Sequence, residues 1–527
     1  MPTLNWIGKE KVVTHHQDVP FRVLERKYTF GETPDSGNKI IHGDNLEALK
    51  ALLPEYEGRI KCIYIDPPYN TGNEGWVYND NVNDPRIQRW LHDVFHEKGI
   101  TIDDLTRHDK WCCMIYPRLF LLYKLLTEDG VIFISIDDNE QDNLLYICKE
   151  IFGANNVEQY IWCLQDKSES SFVKTAGLTV RKEHEYIIAC FKSSNTRFKK
   201  YLGEREFASN IKDNPDNDPR GPWFSGNISR NGIKTTTGSK YYTIVNPAGE
   251  SFTRNWTLTK EEYEEALADN RIYFAKGGAG VPRLKIFPSK ESELIQSSLF
   301  TDVHTSITGK KELAAIFGES PFPFPKPTTL IYRILQLITD KDSIILDSFA
   351  GSGTTAHAVL NLNKKDGGKR KFILCEMLDY AEDITAERVR RVISGYGEGK
   401  TAVAGTGGSF DYYELGETIF DPKTGMLNNN AEVEQIRRYV WYTETHTSYK
   451  VYEERSNPYL LGTHNFSDYY FYYEPQEETV LDWEFLATIK QSAEQYIIFA
   501  DRCLLADEEM QKHNIVFKKI PRDIKRQ

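Results

Sequence analysis

Hydrophobic and polar positions follow two rhythms along this chain. Short continuous apolar runs that stop at polar turns predict internal strands, and apolar residues three and four apart predict helices packed on them. The clearest run, 62–65, stops at Asp66-Pro67-Pro68-Tyr69-Asn70-Thr71-Gly72. A second, 343–346, stops at Asp347-Ser348-Phe349-Ala350-Gly351-Ser352-Gly353-Thr354-Thr355. The same reading predicts strands at 39–41, 131–136, 157–164, 186–191 and 371–375. Helices are predicted over 46–53, 109–126 (ended by Gly130), 141–152, 328–339, 356–362 and 384–394. Strands alternating with helices at these spacings describe βαβ units in an open α/β sheet, whose sites lie at the carboxyl ends of the strands.

The texture changes over 193–320. Turn residues crowd in, as at 213–219 and 277–280, and basic residues interleave with aromatic ones: Arg220, Trp223, Phe224, Arg230, Lys234, Lys240, Tyr241, Tyr242, Arg254 and Trp256. Residues 167–290 carry 21 Lys plus Arg against 14 Asp plus Glu, although the whole chain stands at −12. A basic, aromatic middle in an acidic chain suits phosphates and unstacked bases, so Arg220, Trp223, Arg230, Lys234, Lys240 and Arg254 are candidate DNA contacts. The reading divides the chain into a polar extension (1–38), a catalytic half (39–192), a DNA-reading insert (193–320), a cofactor-binding half (321–400) and a C-terminal α/β domain (401–527).

Composition adds exclusions. At 527 residues with 40% hydrophobic and 27% charged positions, the chain suits several globular domains rather than long disorder. No apolar run reaches membrane length and residues 1–11 lack a signal pattern, so a cytoplasmic location away from any membrane is expected. The eight cysteines are scattered, with neither a disulfide framework nor zinc-ligand spacing, and no metal is expected. The acidic run Asp137-Asp138-Asn139-Glu140 reads as the cap of the following helix rather than a metal site, and Cys62 as strand core rather than a nucleophile.

Two motifs carry chemistry. Two prolines after Asp66 stiffen the turn and keep the Pro67 carbonyl out of any helix. A carboxylate and a carbonyl fixed in this way can accept both hydrogens of an exocyclic amine, with Tyr69 stacked on the attached ring; such an amine belongs to a nucleobase. The 347–355 turn is a glycine-rich link from strand to helix, which lets a ligand approach the backbone near a helix N-terminus. No Lys follows Gly353, so the loop is not one that holds β- and γ-phosphates. Glu376 ends the next strand, about twenty residues past the glycines, where an acid can accept ribose hydroxyls. A ribose and a small carboxylate without phosphates describe S-adenosylmethionine.

His42-Gly43-Asp44-Asn45, the 63–72 turn, 111–119, 133–140, Lys326-Pro327 and 347–355, in this order, resemble the amino-methylating DNA methyltransferases of the beta group, above all the Mod (modification) subunits of type III restriction-modification systems. The resemblance implies a Rossmann-like α/β fold: a mixed, largely parallel seven-stranded sheet of permuted class I methyltransferase order, with an inserted target-recognition domain and a small C-terminal domain. It implies that Asp66, Pro67, Pro68 and Tyr69 act on the target amine, and that Asp347, Phe349, Gly351, Gly353 and Thr354 line the methionine end of the cofactor. Glu376 would take the ribose, Asp44 the cofactor adenine, and Lys326 would lie near the same pocket. The implied activity is adenine N6 methylation of duplex DNA by base flipping, with a homodimer and a restriction helicase-nuclease subunit as partners; no helicase motif occurs in the chain. Cytosine N4 methylation uses the same chemistry and stays open, as does a DNA-recognition subunit that needs a partner for activity.

Overall fold

The computed structural model describes residues 3–31, 33, 36–71, 107–164, 182–203, 211–212, 214, 216–230, 235–287, 292–421, 423–447, 449 and 457–524. They form two compact units, 200–295 and the remainder.

The larger unit is built on one sheet of ten strands: β1 (Arg22–Phe30), β2 (Lys39–His42), β3 (Ile60–Ile65), β4 (Leu126–Ile136), β5 (Val157–Cys163), β6 (His184–Phe191), β7 (Leu299–Phe300), β8 (Ile344–Asp347), β9 (Lys371–Glu376) and β10 (Phe410–Thr418). Their order across the sheet is β1-β10-β2-β9-β8-β3-β4-β6-β5-β7. From β10 to β4 every pair is parallel; β1–β10, β4–β6 and β6–β5 are antiparallel, and β5–β7 is parallel. Continuous apolar runs make the central strands. In β3, Ile60, Cys62, Ile63, Tyr64 and Ile65 are all buried, as a strand covered on both faces requires.

The sheet exceeds the expected seven strands, and the three additions come from segments that did not read as sheet. β1 lies in the stretch read as an extension, β10 in the presumed tail domain, and β7 in the presumed insert. β1 carries a mixed, partly exposed pattern, Arg22 to Phe30, because it is an edge strand, and β7 is too short to show any. A second difference concerns Gly130, expected to end a helix. The helix Arg107–Leu125 stops earlier and Gly130 sits inside β4, where the pairing jumps from Ile60–Leu126 to Cys62–Val131. The extra residues are absorbed as a bulge, which glycine tolerates.

Helices cover the sheet. Asn45–Tyr56, Arg107–Leu125 and Gln141–Phe152 bury Leu49, Leu52, Trp111, Ile115, Leu119, Leu122, Leu144 and Ile147 in one continuous core with Ile63, Ile65, Ile132 and Ile134. Each such side chain contributes about 1.5–3 kcal/mol of burial. Thr328–Ile338 and Thr354–Asp366 follow the Pro-rich entry and the glycine loop. A second, four-stranded sheet in the same unit runs Leu460–His464, Ser467–Phe471, Gln495–Ala500, Ile515–Lys519.

The smaller unit, 200–295, has its own four-stranded sheet in the order Ile272–Phe274, Pro282–Ile286, Trp223–Asn227, Ile211–Lys212, and a hairpin of Tyr241–Val245 with Ser251–Asn255. The helix Lys260–Ala268 starts at a capping box between Thr259 and Glu262. Its core gathers Ile228, Ile244, Trp256, Tyr263, Ala266 and Ile272. The helix Ser306–Phe317 and residues 296–320, expected within the insert, belong to the larger unit.

Candidate active site

β3 and β8 are parallel neighbours, with Ile345 opposite Cys62 and Leu346 opposite Ile63. The acids that close them, Asp66 and Asp347, therefore leave the sheet along one edge.

Asp66 is held by Lys326, whose Nζ donates to both carboxylate oxygens at 2.8 Å. The same ammonium lies 3.8 Å from Glu185 Oε2, 4.8 Å from the Tyr69 ring centroid and 5.8 Å from that of Trp162. The Tyr69 hydroxyl donates to Glu185 Oε2 at 2.9 Å. Burial alone would lower the Lys326 pKa, but the Asp66 and Glu185 carboxylates outweigh it and hold the group above the ordinary lysine value. Desolvation pushes the Glu185 carboxyl up despite the nearby ammonium, and holds the Tyr69 phenol far above its usual value.

The turn after Asp66 is clamped from two sides. Trp111 Nε1 donates to the Pro68 carbonyl at 2.7 Å, which gives one member of a helical core stripe a specific task. Asn70 adopts a left-handed φ of 61°, and its amide donates to Glu140. Glu140 is fully buried and also accepts from the Asn143 amide at 2.8 Å, with His108 Nδ1 at 2.7 Å. The acidic run 137–140 was expected to cap the following helix, yet Glu140 occupies the cap position without a side-chain capping bond. Its carboxylate is spent on Asn70 instead.

The second motif encloses two buried acids. Asp347 accepts from the Phe349 N–H at 3.1 Å and the Thr355 hydroxyl at 2.5 Å. Glu376 accepts from the Gly351 N–H at 2.8 Å with one oxygen, and from the Met377 and Leu378 N–H groups at 3.0 and 3.1 Å with the other. Burial pushes both carboxyls up, each to about 7. Gly351 and Gly353 have φ of 52° and 77°; a Cβ on Gly353 would approach the Thr385 carbonyl oxygen to 3.1 Å. Thr354 Oγ1 donates to the Lys326 carbonyl at 3.2 Å and accepts from Arg388 at 2.8 Å, so the loop and the Lys326 segment are tied together. Arg388 is fully buried, which pushes its pKa down to about 10.

Phe349 packs into the main core. Asp44 caps the helix Asn45–Tyr56 by accepting from the Leu46 and Glu47 N–H groups at 2.9 and 3.2 Å, and its second oxygen faces Arg118 at 3.3 Å. Asn45 bridges Arg118 to the Ser348 carbonyl, linking that cap to the glycine loop. Among the described residues the buried Ser348 hydroxyl has no hydrogen-bond partner. A glycine loop bent by two left-handed residues, an orphaned hydroxyl at its start and a carboxylate at the end of the neighbouring strand fit a nucleoside bearing a small polar tail. The loop offers no cation for a polyphosphate.

The six candidate DNA contacts differ in character. Trp223 is fully buried, with Nε1 donating to Asp216 at 2.9 Å and its ring 4.8 Å from that of Tyr273, so it is core and not a stacking surface. Arg220 is exposed, but Asp218 at 2.8 and 2.9 Å and Asp269 at 3.0 Å engage its guanidinium, which lies over Phe287. Lys240 donates to the Thr257 carbonyl at 2.9 Å, and Arg254 lies 5.5 Å from the rings of Phe252 and Trp256. Arg230 is exposed, and Lys234 falls outside the described residues.

Glu185 and Arg388 were not singled out from sequence, and Trp111 and Glu140 were read only as helix core and helix cap. Glu185 reaches the site because β6 runs antiparallel to β4, Tyr186 opposite Ile136, which brings the start of β6 to the edge where the parallel strands end. Among the described residues no helix is long and apolar enough to cross a membrane, and no group of three or more His, Cys, Asp or Glu side chains is arranged to hold a metal. Cys62 is buried, and desolvation pushes its thiol far up.

Comparison with known proteins places this geometry in context. The N6/N4 DNA methylase family model matches residues 60–387. The type III restriction-modification enzyme StyLTI Mod subunit of Salmonella typhimurium strain LT2 is 36% identical over 69% of this chain and 58% of its own length. The EcoPI Mod subunit of Escherichia phage P1 is 32% identical over 70% of this chain and 62% of its own. The chain thus spans about three fifths of these relatives. Among solved structures, the cytosine-N4-specific PvuII DNA methyltransferase aligns with a TM-score of 0.35 at 12% identity, over 70% of this chain and 89% of that one.

Proposed function

The chain belongs to the N6/N4 DNA methylase family, and from that premise we propose that it methylates adenine N6 in duplex DNA at a specific sequence, as the modification subunit of a restriction-modification system. The observation that carries the proposal is the shared edge: the Asp66 turn at the end of β3 and the Asp347 loop at the end of the adjacent β8. An amine acceptor and a nucleoside cradle side by side are what methyl transfer to a base requires.

S-adenosylmethionine supplies an electrophilic methyl group when bound, and the residues that would hold it are Asp347, Gly351, Gly353, Thr354 and Glu376, with Asp44 and Lys326 at the margin. The target adenine lies inside the duplex stack and is extruded at a cost of about a few kcal/mol. Tyr69 receives the flipped ring. The N6 lone pair is conjugated with that ring, and hydrogen bonds from N6 to Asp66 and the Pro67 carbonyl draw it towards tetrahedral geometry. Fixed acceptors are worth more here than in water because the turn is rigid and partly desolvated. Trp111 and Glu140 keep it rigid by holding the Pro68 carbonyl and Asn70. An Asp in place of Ser before the proline pair favours adenine over cytosine by family likeness.

The unit 200–295 is proposed to read the DNA, with Arg230 and Lys240 among its contacts. The relatives named above are Mod subunits of type III enzymes, so a restriction subunit and a second copy of the chain are the partners proposed. The deciding experiment is long-read sequencing of plasmid DNA from cells expressing the chain, beside an Asp66→Ala control. N6-methyladenine at one short motif, lost in the control, is the expected result. N4-methylcytosine replaces the base while keeping the mechanism, and unmodified DNA overturns the stand-alone enzyme.

A further inference from the structure

If Asp66 accepts the target amine, its present partner has to yield. Both oxygens of Asp66 accept from Lys326 Nζ, so an incoming amine competes with the ammonium for the same carboxylate. A buried ammonium does not leave a carboxylate for an apolar wall, because desolvation outweighs the gain. It moves readily only to another anion. Glu185 Oε2 stands 3.8 Å from Nζ, so a displacement of about 1 Å converts a loose pair into a charge-assisted hydrogen bond. That oxygen also receives the Tyr69 hydroxyl.

We propose that Glu185 is a positioning residue that takes Lys326 over from Asp66 as the target amine arrives, and that its bond to Tyr69 couples this hand-over to the seating of the base. The inference rests on the function proposed above. It accounts for two carboxylates sharing one buried cation at the edge of the sheet. Among the described residues, Asp137 just beyond β4, Asp347 at the end of β8, and the phenols of Tyr64 and Tyr69 also face the trio. Both phenols stay protonated, since burial holds them far above their usual values, and Lys326 is the cation that pairs with both Asp66 and Glu185.

The test uses the full chain and a duplex carrying its methylation site, with single-turnover methyl-transfer rates measured across pH for wild type, E185Q, K326M and E185Q/K326M. Glutamine can still accept from Tyr69 but offers the ammonium no negative charge. E185Q is therefore expected to lose about tenfold or more in rate, with cofactor and DNA affinities within about twofold of wild type. K326M leaves two partly buried carboxyls facing each other and is expected to move the acid limb of the rate profile up by about one pH unit. The double variant, in which no ammonium competes for Asp66, is expected to recover most of the E185Q loss, a result that a merely structural Glu185 would not give. Thermal unfolding of each variant checks folding, and K326M tests the idea even where E185Q does not fold. A wild-type rate in E185Q, a double variant no faster than E185Q, or an unmoved acid limb in K326M overturns the hand-over. Wild-type protein that transfers no methyl group to DNA overturns both readings; an active wild type with an unaffected E185Q overturns this one alone.

Discussion

Asp66 and Asp347 stand at the ends of adjacent parallel strands, and the protein treats them in opposite ways. Asp66 gives both oxygens to one buried side chain, the Lys326 ammonium. Asp347 gives its oxygens to a backbone N–H and a threonine hydroxyl in its own loop, and burial pushes its carboxyl up to about 7. In the function proposed here the first contact is exchanged for a substrate, whereas the second holds the loop. A strand-end acid is thus chemistry or scaffold according to whether its partners can leave.

The comparison can be broken most sharply at Asp66. Asp66→Ala should lower the single-turnover transfer rate by about 10²–10³-fold while cofactor binding by calorimetry and the melting temperature stay near wild type. Asp347→Ala should show the reverse order of effects. Its loop donors lose their acceptor, which costs about 1–3 kcal/mol of stability in denaturant titrations, and cofactor binding falls with it. A mutant pair with the same phenotype would erase the distinction.

A pH titration sharpens it next. Asp347 and Glu376 bind protons in the folded protein up to about pH 7, whereas unfolded carboxyls release theirs near pH 4. The native state then holds more protons than the unfolded one between those values, so the stability of the ligand-free protein should fall as pH rises from about 4 to 7. Asp347→Asn or Glu376→Gln should flatten that decline in melting curves; an unchanged slope would deny the raised values.

The smaller unit offers the mildest tests. Trp223→Ala should destabilise it by about 3–5 kcal/mol through an unfilled core, which hydrogen exchange confined to 200–295 would register. Arg230→Ala should leave folding alone and reduce the slope of log affinity for DNA against log salt by about one, if its guanidinium meets a phosphate. Arg220 is a poor choice for that experiment, since Asp218 and Asp269 already hold it.

The strand-end motifs were legible because each is local: an apolar run, a rigid or glycine-rich turn, and an acid within a few residues. Their positions at strand ends could be read without knowing what faced them. Glu185 and Glu140 were not legible, because their meaning comes from partners far along the chain. Glu185 meets Lys326 only through the antiparallel placement of β6, and Glu140 looked like a cap because its neighbours in sequence favour one. The basic and aromatic residues of the small unit show the converse. Composition set the region apart, but burial separates Trp223 from Arg230, and composition carries no information on burial.

β10 lies between β1 and β2, and Arg22 donates to the Gly416 carbonyl across 394 positions of chain. During synthesis, β2 therefore waits with one bare edge until residues 410–418 have left the ribosome, long after the Asp66 turn and the glycine loop have emerged. Contacts of such sequence separation are slow to form and leave strand edges open to other chains. A fragment that stopped at residue 400 would hold both chemical motifs and carry that same open edge permanently, so it should be sticky before it is inactive.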